Sequence, residues 1–395
     1  MNKKWMGAAL SALIAAAVTT PSWAEEIVLG LSFPKTGRYT TVGAATEIAV
    51  DIAVAEINAK GGIDGKKIRV EKFDTASDPK NAQVAAQRFA EDVKALAIIG
   101  PFSTAEAAVA FAAGERLEIV QMPNASSAPG LTKGKNWAWR MTEDEGKQFS
   151  RLVRTLSAKN IVKDKTAAVL YPSDEAVGKA LGEIIMPTQL KNNGFTLVDN
   201  PIGFPTASFD LSPQVSKIKE KNPAVVSFAG LPEAASKVLK EVRRQGMNAR
   251  MIGSQIFADP DIAEKLGPEG EGTIFVAWYW WDLNDRTRGF EKKFLEEVKK
   301  RGMNRTGAHH VDAAAYDIVY VYADAIRRGK VTGNPAKLKE ERLAIRNALA
   351  ATDYDGISGK VCFDKERDAE LAAYVIEIKG GKRALLDSHP SDKCK

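Results

Sequence analysis

The stretch Ala95-Leu-Ala-Ile-Ile-Gly-Pro-Phe-Ser-Thr-Ala-Glu106 passes from a strand to a helix within a few residues, and its reading decides the fold. Ala95 to Ile99 carries no polar residue and reads as a short buried strand. Gly100-Pro101 breaks it. Ser103 and Glu106 then form the S-x-x-E capping box that opens a helix over 103–116. A second short apolar run, Leu117-Glu-Ile-Val120, ends in Gln121-Met-Pro-Asn-Ala-Ser-Ser-Ala-Pro-Gly130, whose small residues, hydroxyls and prolines supply loop chemistry. Strand, helix and strand in this order make a parallel βαβ unit.

The same alternation extends outward. Ile27–Phe33 reads as a strand, Ala44–Lys60 as a helix closed by Gly61-Gly62, Lys67–Phe73 as a strand and Pro79–Lys94 as a helix. A second series starts near Gly146, with strands at Thr166–Tyr171, Thr196–Val198 and Ala224–Phe228 between helices at Asp174–Asn193, Ser212–Lys221 and Pro232–Gln245. Two such runs predict two α/β lobes of one pattern. The remainder departs from it: the strand Gly272–Trp278, helices at 287–301, 311–328 and 335–351, and a terminal hairpin pairing Lys360–Asp364 with Ala373–Lys379.

With 395 residues, two domains are the expectation. Net charge is +6, and the basic residues are interleaved with acids, as in Lys217-Ile-Lys-Glu-Lys221. That is the solvated face of helices rather than a nucleic-acid stripe, so no nucleic-acid partner is expected. Residues 1–24 have the layout of a secretory signal peptide: Lys3-Lys4, an apolar stretch from Met6 to Val18, and Ser22-Trp-Ala24 at the cleavage position. An uncleaved anchor is the alternative. A mature chain starting at Glu25 would work outside the cytoplasm, where Cys362 and Cys394 most simply form one disulfide, two free thiols being the other possibility.

Catalytic motifs are absent: no GxSxG, GxxxxGK[ST], GxGxxG or HExxH is present. Neither a metal site nor a cofactor is expected, and the reading is not that of an enzyme. What remains is position. In parallel α/β sheets, ligands sit at the carboxyl ends of strands against helix N-termini. Thr104, one step inside the cap Ser103, could meet an anion with its hydroxyl and the free first-turn N–H groups. The neighbouring strand end offers Ala125, Ser126 and Ser127. The run Trp278-Tyr279-Trp280-Trp281 is too bulky for one core face, because alternate rings point to opposite sides. Some of these rings should line a cleft or a lobe interface.

Several stretches carry a family resemblance: Phe33-Pro-Lys-Thr-Gly37, Ala55-Glu-Ile-Asn-Ala-Lys-Gly-Gly-Ile63, Asp74-Thr-Ala-Ser-Asp-Pro79, Ile99-Gly-Pro101, Asn124-Ala-Ser-Ser-Ala-Pro129 and Ala315-Tyr-Asp317. Together they resemble the periplasmic solute-binding proteins of ABC importers, of the leucine/isoleucine/valine-binding type, over nearly the whole mature chain. The resemblance implies two Rossmann-like lobes with parallel sheets, three interlobe crossings and a ligand in the cleft, with hinge closure. It implies lobes at 25–143 plus 278–353 and at 144–277 plus 354–395. It further implies a periplasmic, monomeric receptor with a membrane permease as partner; a sensory binding protein of the same fold is the alternative.

In that family the ligand carboxylate is held at positions matching Thr104, with Ser103 beside it, and Ala125, Ser126 and Ser127. The ammonium half departs from the pattern. Ser254-Gln255 stands where leucine-type binders carry an acid, and Val177 and Leu231 stand where tyrosines are expected. A buried ammonium facing neutral Gln255 would lose its counter-charge. The expectation is therefore a small carboxylate with an aromatic or branched apolar body and no α-ammonium, bordered by Tyr39, Trp278, Tyr279 and His310. An amino acid held by another acid, such as Asp312 or Glu175, is the alternative.

Overall fold

A computed structural model describes residues 26–391 and 393–394; the signal-peptide reading of 1–24 lies outside them. The first sheet is laid down by β1 (Ile27–Phe33), α1 (Thr40–Ala59), β2 (Ile68–Asp74), α2 (Pro79–Glu91), β3 (Ala97–Ile99), α3 (Thr104–Leu117) and β4 (Val120–Met122). Its strands run parallel in the order β2-β1-β3-β4. Gly100 is fixed by geometry: its φ is +101°, and a Cβ there would stand 2.1 Å from the Ser32 carbonyl oxygen. Only glycine lets the chain leave β3 so close to β1.

The second sheet begins after α4 (Glu145–Ala158), with β5 (Thr166–Pro172), α5 (Ala176–Lys179), a π-helical turn over Ala180–Ile185, α6 (Met186–Asn192), β6 (Thr196–Leu197) and β7 (Ile202–Phe204). There follow α7 (Ser212–Lys219), β8 (Val225–Phe228), α8 (Pro232–Arg244), β9 (Arg250–Gly253), a 3₁₀ turn at Gln255–Ala258, α9 (Ile262–Leu266) and β10 (Ile274–Ala277). The chain then adds α10 (Asp285–Lys300), α11 (His310–Arg328) and α12 (Leu338–Leu349). The strands β11 (Tyr354–Gly356), β12 (Gly359–Phe363) and β13 (Ala369–Glu370) form a small sheet of their own. Finally β14 (Ala373–Lys379) and β15 (Lys382–His389) complete the second sheet, in the order β15-β14-β10-β9-β8-β5-β6, with β7 also on β5.

The chain passes between the sheets three times. After β4 it enters the second sheet through α4; after β10 it returns, because α11 packs on α1 and is buried almost all round, as a core helix must be. The Tyr322 hydroxyl ties α11 to β3 by donating to the Ile98 carbonyl at 2.8 Å. The small sheet packs on the same core through Ile357, Val361 and Ala369, and β14 makes the last passage. Two buried arginines join the first passage to the third. Arg140 pairs with Asp368 and donates to the Ala128 carbonyl at 2.6 Å. Arg151 reaches Glu143 at 2.6 Å and the Leu371 carbonyl at 3.0 Å.

The terminal hairpin expected from the sequence is not formed. β12 pairs with β11 and β13, whereas β14 pairs with β10 and β15. The true hairpin turns at Gly380-Gly381, both at positive φ (60° and 69°), the conformation a two-residue primed turn needs. β14 is buried over most of its length because it is an inner strand of the second sheet. The Cys362–Cys394 disulfide is present and ties the tail to β12.

Candidate ligand-binding site

Most of the expected residues lie in the loops and helix starts that follow the carboxyl ends of the parallel strands. Tyr39 is the residue before α1; its N–H donates to the Ser77 hydroxyl at 3.2 Å, and its ring lies 5.3 Å from that of Phe102, after β3. Ser103 caps α3: its hydroxyl accepts from the Glu106 N–H at 3.3 Å, and the Glu106 carboxylate accepts from the Ser103 N–H at 2.8 Å. That reciprocal cap occupies Ser103 and leaves Thr104, half-buried in the first turn, outside the cap.

The loop after β4 is held from behind. Asn124 donates to the Val311 carbonyl at 2.9 Å and the Thr46 hydroxyl at 3.2 Å, and Thr142 donates to the Ser126 carbonyl at 2.6 Å. Ala125 is half-buried, and the buried Ser126 hydroxyl has no hydrogen-bond partner. Ser127 donates to Glu145 Oε2 at 3.0 Å. Because Glu145 opens α4, this bond spans the first passage between the sheets.

Glu145 is not foreseeable from the sequence. There, Glu143-Asp-Glu145 looks like the acidic first turn of a helix, and Asp144 does cap α4 by accepting from the Gly146 N–H at 2.8 Å. Only the folded chain shows Glu145 to be 2% exposed. Burial pushes its carboxyl up to about 7; Ser254 and Ser127 beside it act against that rise, the Asp144 charge adds to it, and Gln255 again opposes it. Glu145 Oε1 has no well-aligned hydrogen bond, and neither does Oε1 of Gln255, itself 4% exposed. Thus Ser127 from the first sheet, Glu145 from the passage, and Ser254-Gln255 from the end of β9 meet around one carboxyl. Val177 and Leu231 follow the neighbouring strands β5 and β8 and are 37% and 41% exposed, large apolar side chains left open to solvent.

The aromatic run sits deeper. Trp278 and Tyr279 pack into the first core and Trp280 into the second, so the rings bridge the second passage. Trp278 donates to the His310 carbonyl at 3.1 Å, and the two rings lie 3.7 Å apart. Tyr279 donates to Glu291 at 3.1 Å, and burial raises its pKa strongly. His310 is 3% exposed, and burial holds its pKa well below the ordinary value. Trp281 alone of the four is part-exposed. Of the alternative acids, Asp312 is buried against Arg305 at 3.1 Å, and Glu175 lies within electrostatic reach of Arg38. Among the described residues no cluster of His, Cys, Asp and Glu could hold a metal ion, and no helix is long and apolar enough to cross a membrane.

Two α/β sheets, the first parallel throughout and the second parallel except at β14 and β15, are joined by three passages and make the two-lobed fold of the solute-binding class. The chain belongs to the periplasmic binding protein family, whose model matches residues 26–383. It is 26% identical over 385 residues to a Leu/Ile/Val-binding protein of Escherichia coli K12, covering 97% of this chain and 96% of that protein. Two solved structures share the fold. One is a branched-chain amino acid transporter substrate-binding protein from Streptococcus pneumoniae in complex with isoleucine (TM-score 0.76, 20% identity, 92% of this chain and 99% of that one). The other is an ABC transporter solute-binding protein from Rhodopseudomonas palustris in complex with 3,4-dihydroxybenzoic acid (TM-score 0.76, 19% identity, 94% and 99%).

Proposed function

We propose that this chain is a periplasmic receptor, exported by a signal peptide cleaved after Ala24, that closes by hinge motion on a small carboxylate with an aromatic or branched apolar body. It hands the solute to the membrane permease of an ABC importer, acts as a monomer and catalyses no reaction. The lobes are 25–143 plus 278–353, with the small sheet at 354–370 packed on that same core instead of on the second as the boundary at 354 would have it, and 144–277 plus the strands from Ala373 onward. The arginine-pinned first and third passages form much of the hinge. The observation that carries the reading is the convergence of two strand-end loops from different sheets, Ala125–Ser127 and Ser254-Gln255, on buried polar atoms that lack partners. Thr104, the loop Ala125–Ser127 and the free N–H groups at the start of α3 grip the carboxylate. Tyr39, Val177 and Leu231 border its body, backed by Trp278, Tyr279 and His310.

Relatives of this fold take both amino acids and aromatic acids, as the isoleucine and dihydroxybenzoate complexes illustrate. A thermal-shift panel therefore spans leucine, phenylalanine, benzoate, 4-hydroxybenzoate and 4-methyl-2-oxopentanoate. Stabilisation by at least one carboxylate, rising with its concentration, is the expected result. No stabilisation by any of them, in protein freed of solute by unfolding and refolding, would refute the reading.

A further inference from the structure

We infer that Glu145 is the specificity-determining group of this junction: it receives a protonated amine of the solute and gives up its own proton to solvent in doing so. The inference rests on the receptor reading above and refines its ligand class, placing the counter-charge on the passage between the sheets instead of on the β9 loop. At the same junction two buried acceptor oxygens, Gln255 Oε1 and Glu145 Oε1 beside Ser254 and Gln255, have no well-aligned hydrogen bond. An ammonium brings three N–H donors and satisfies both. A carboxylate without a donor would instead place a second anion beside the first, which forces one of them to hold a proton.

The charges around Glu145 leave that role open. On its own segment Asp144 is a like charge, Glu143 is paired with Arg151 at 2.6 Å, and Lys147 with Glu370 at 2.9 Å. The elements packed on α4 are α6, β10, β14 and the Gln255–Ala258 turn. They carry Lys191 on α6, and Tyr374, Glu377 and Lys379 on β14; β10, the turn and the loop 123–130 carry no titratable side chain. Both cations of α4 nearest Glu145 in sequence are thus engaged elsewhere. A carboxyl whose pKa stands at about 7 is half-protonated at neutral pH, and an arriving ammonium draws it into the ionised form.

Calorimetric titrations at pH 5.5, 7 and 8.5 test this on wild type and Glu145→Gln, with leucine and phenylalanine against benzoate and 4-methyl-2-oxopentanoate. The expected result is binding of an amino acid that tightens by roughly thirtyfold from pH 5.5 to 8.5, with proton release seen as a buffer-dependent heat at pH 7. E145Q should weaken that probe at least tenfold and flatten its pH dependence. Binding of benzoate or the oxo acid that tightens as pH falls, or amino-acid binding indifferent to E145Q, would overturn the inference and leave the receptor reading standing. Binding of none of the probes would overturn both. Should E145Q fail to fold, the sign of the wild-type pH dependence decides alone.

Discussion

Replacing Glu145 by glutamine in the solute-free protein should change how stability depends on pH, in a direction and amount set by the structure. An unfolded glutamate titrates near 4.5, and the buried one at about 7. Folding therefore favours the protonated form. Its stabilising contribution is fully present below pH 4.5 and is lost as pH rises through about 7. At about 1.4 kcal/mol per pH unit the loss comes to about 3 kcal/mol. The amide introduced by E145Q cannot ionise, so the variant lacks this loss while keeping every other titration. Urea unfolding of both proteins at pH 4.5 and pH 8 isolates the difference: relative to E145Q, the wild type should lose about 3 kcal/mol on going to pH 8. Parallel pH dependences would mean that Glu145 is solvated and ionised throughout, and would refute its enclosure at the junction.

Three further outcomes follow from the packing. Asp368→Ala strips the buried Arg140 of its partner and should cost about 3–5 kcal/mol by urea unfolding, with part recovered in an R140M/D368A double variant. Ser103→Ala removes the α3 cap and should cost about 1 kcal/mol while leaving solute affinity within a few-fold; a large affinity loss at unchanged stability would assign Ser103 to the ligand instead. Reducing the Cys362–Cys394 bond, which spans a sequence separation of 32, should lower stability by roughly 2–4 kcal/mol and speed amide exchange in the last residues first.

Much of the fold is legible in the sequence because its signals are local. Ser103 and Glu106 announce the cap that forms, Gly100 marks the tight exit from β3, and the strand–helix alternation gives both sheets. Where pairing is set by distant partners, local signals fail: Lys360–Asp364 and Ala373–Lys379 look like two arms of a hairpin, yet each finds other neighbours. The turn that does make a hairpin, Gly380-Gly381, is visible as a dipeptide, but the strand after it, Lys382–His389, is too mixed in polarity to declare itself. The carboxylate side of the site can be read from strand ends and hydroxyls. Glu145 cannot, because nothing in an acidic helix start distinguishes a solvated carboxyl from one enclosed by two other loops. The tryptophan run likewise shows its bridging role only once the second passage is seen.

The central claim is that Thr104 and Ser127, on neighbouring loops of the first sheet, help enclose a solute carboxylate against the second. Titration calorimetry of a Thr104→Ala/Ser127→Ala double variant, with the acid that gives the largest thermal shift, tests it most directly. The predicted result is no measurable binding by a protein that still unfolds cooperatively near the wild-type temperature. Affinity retained within a few-fold would contradict it.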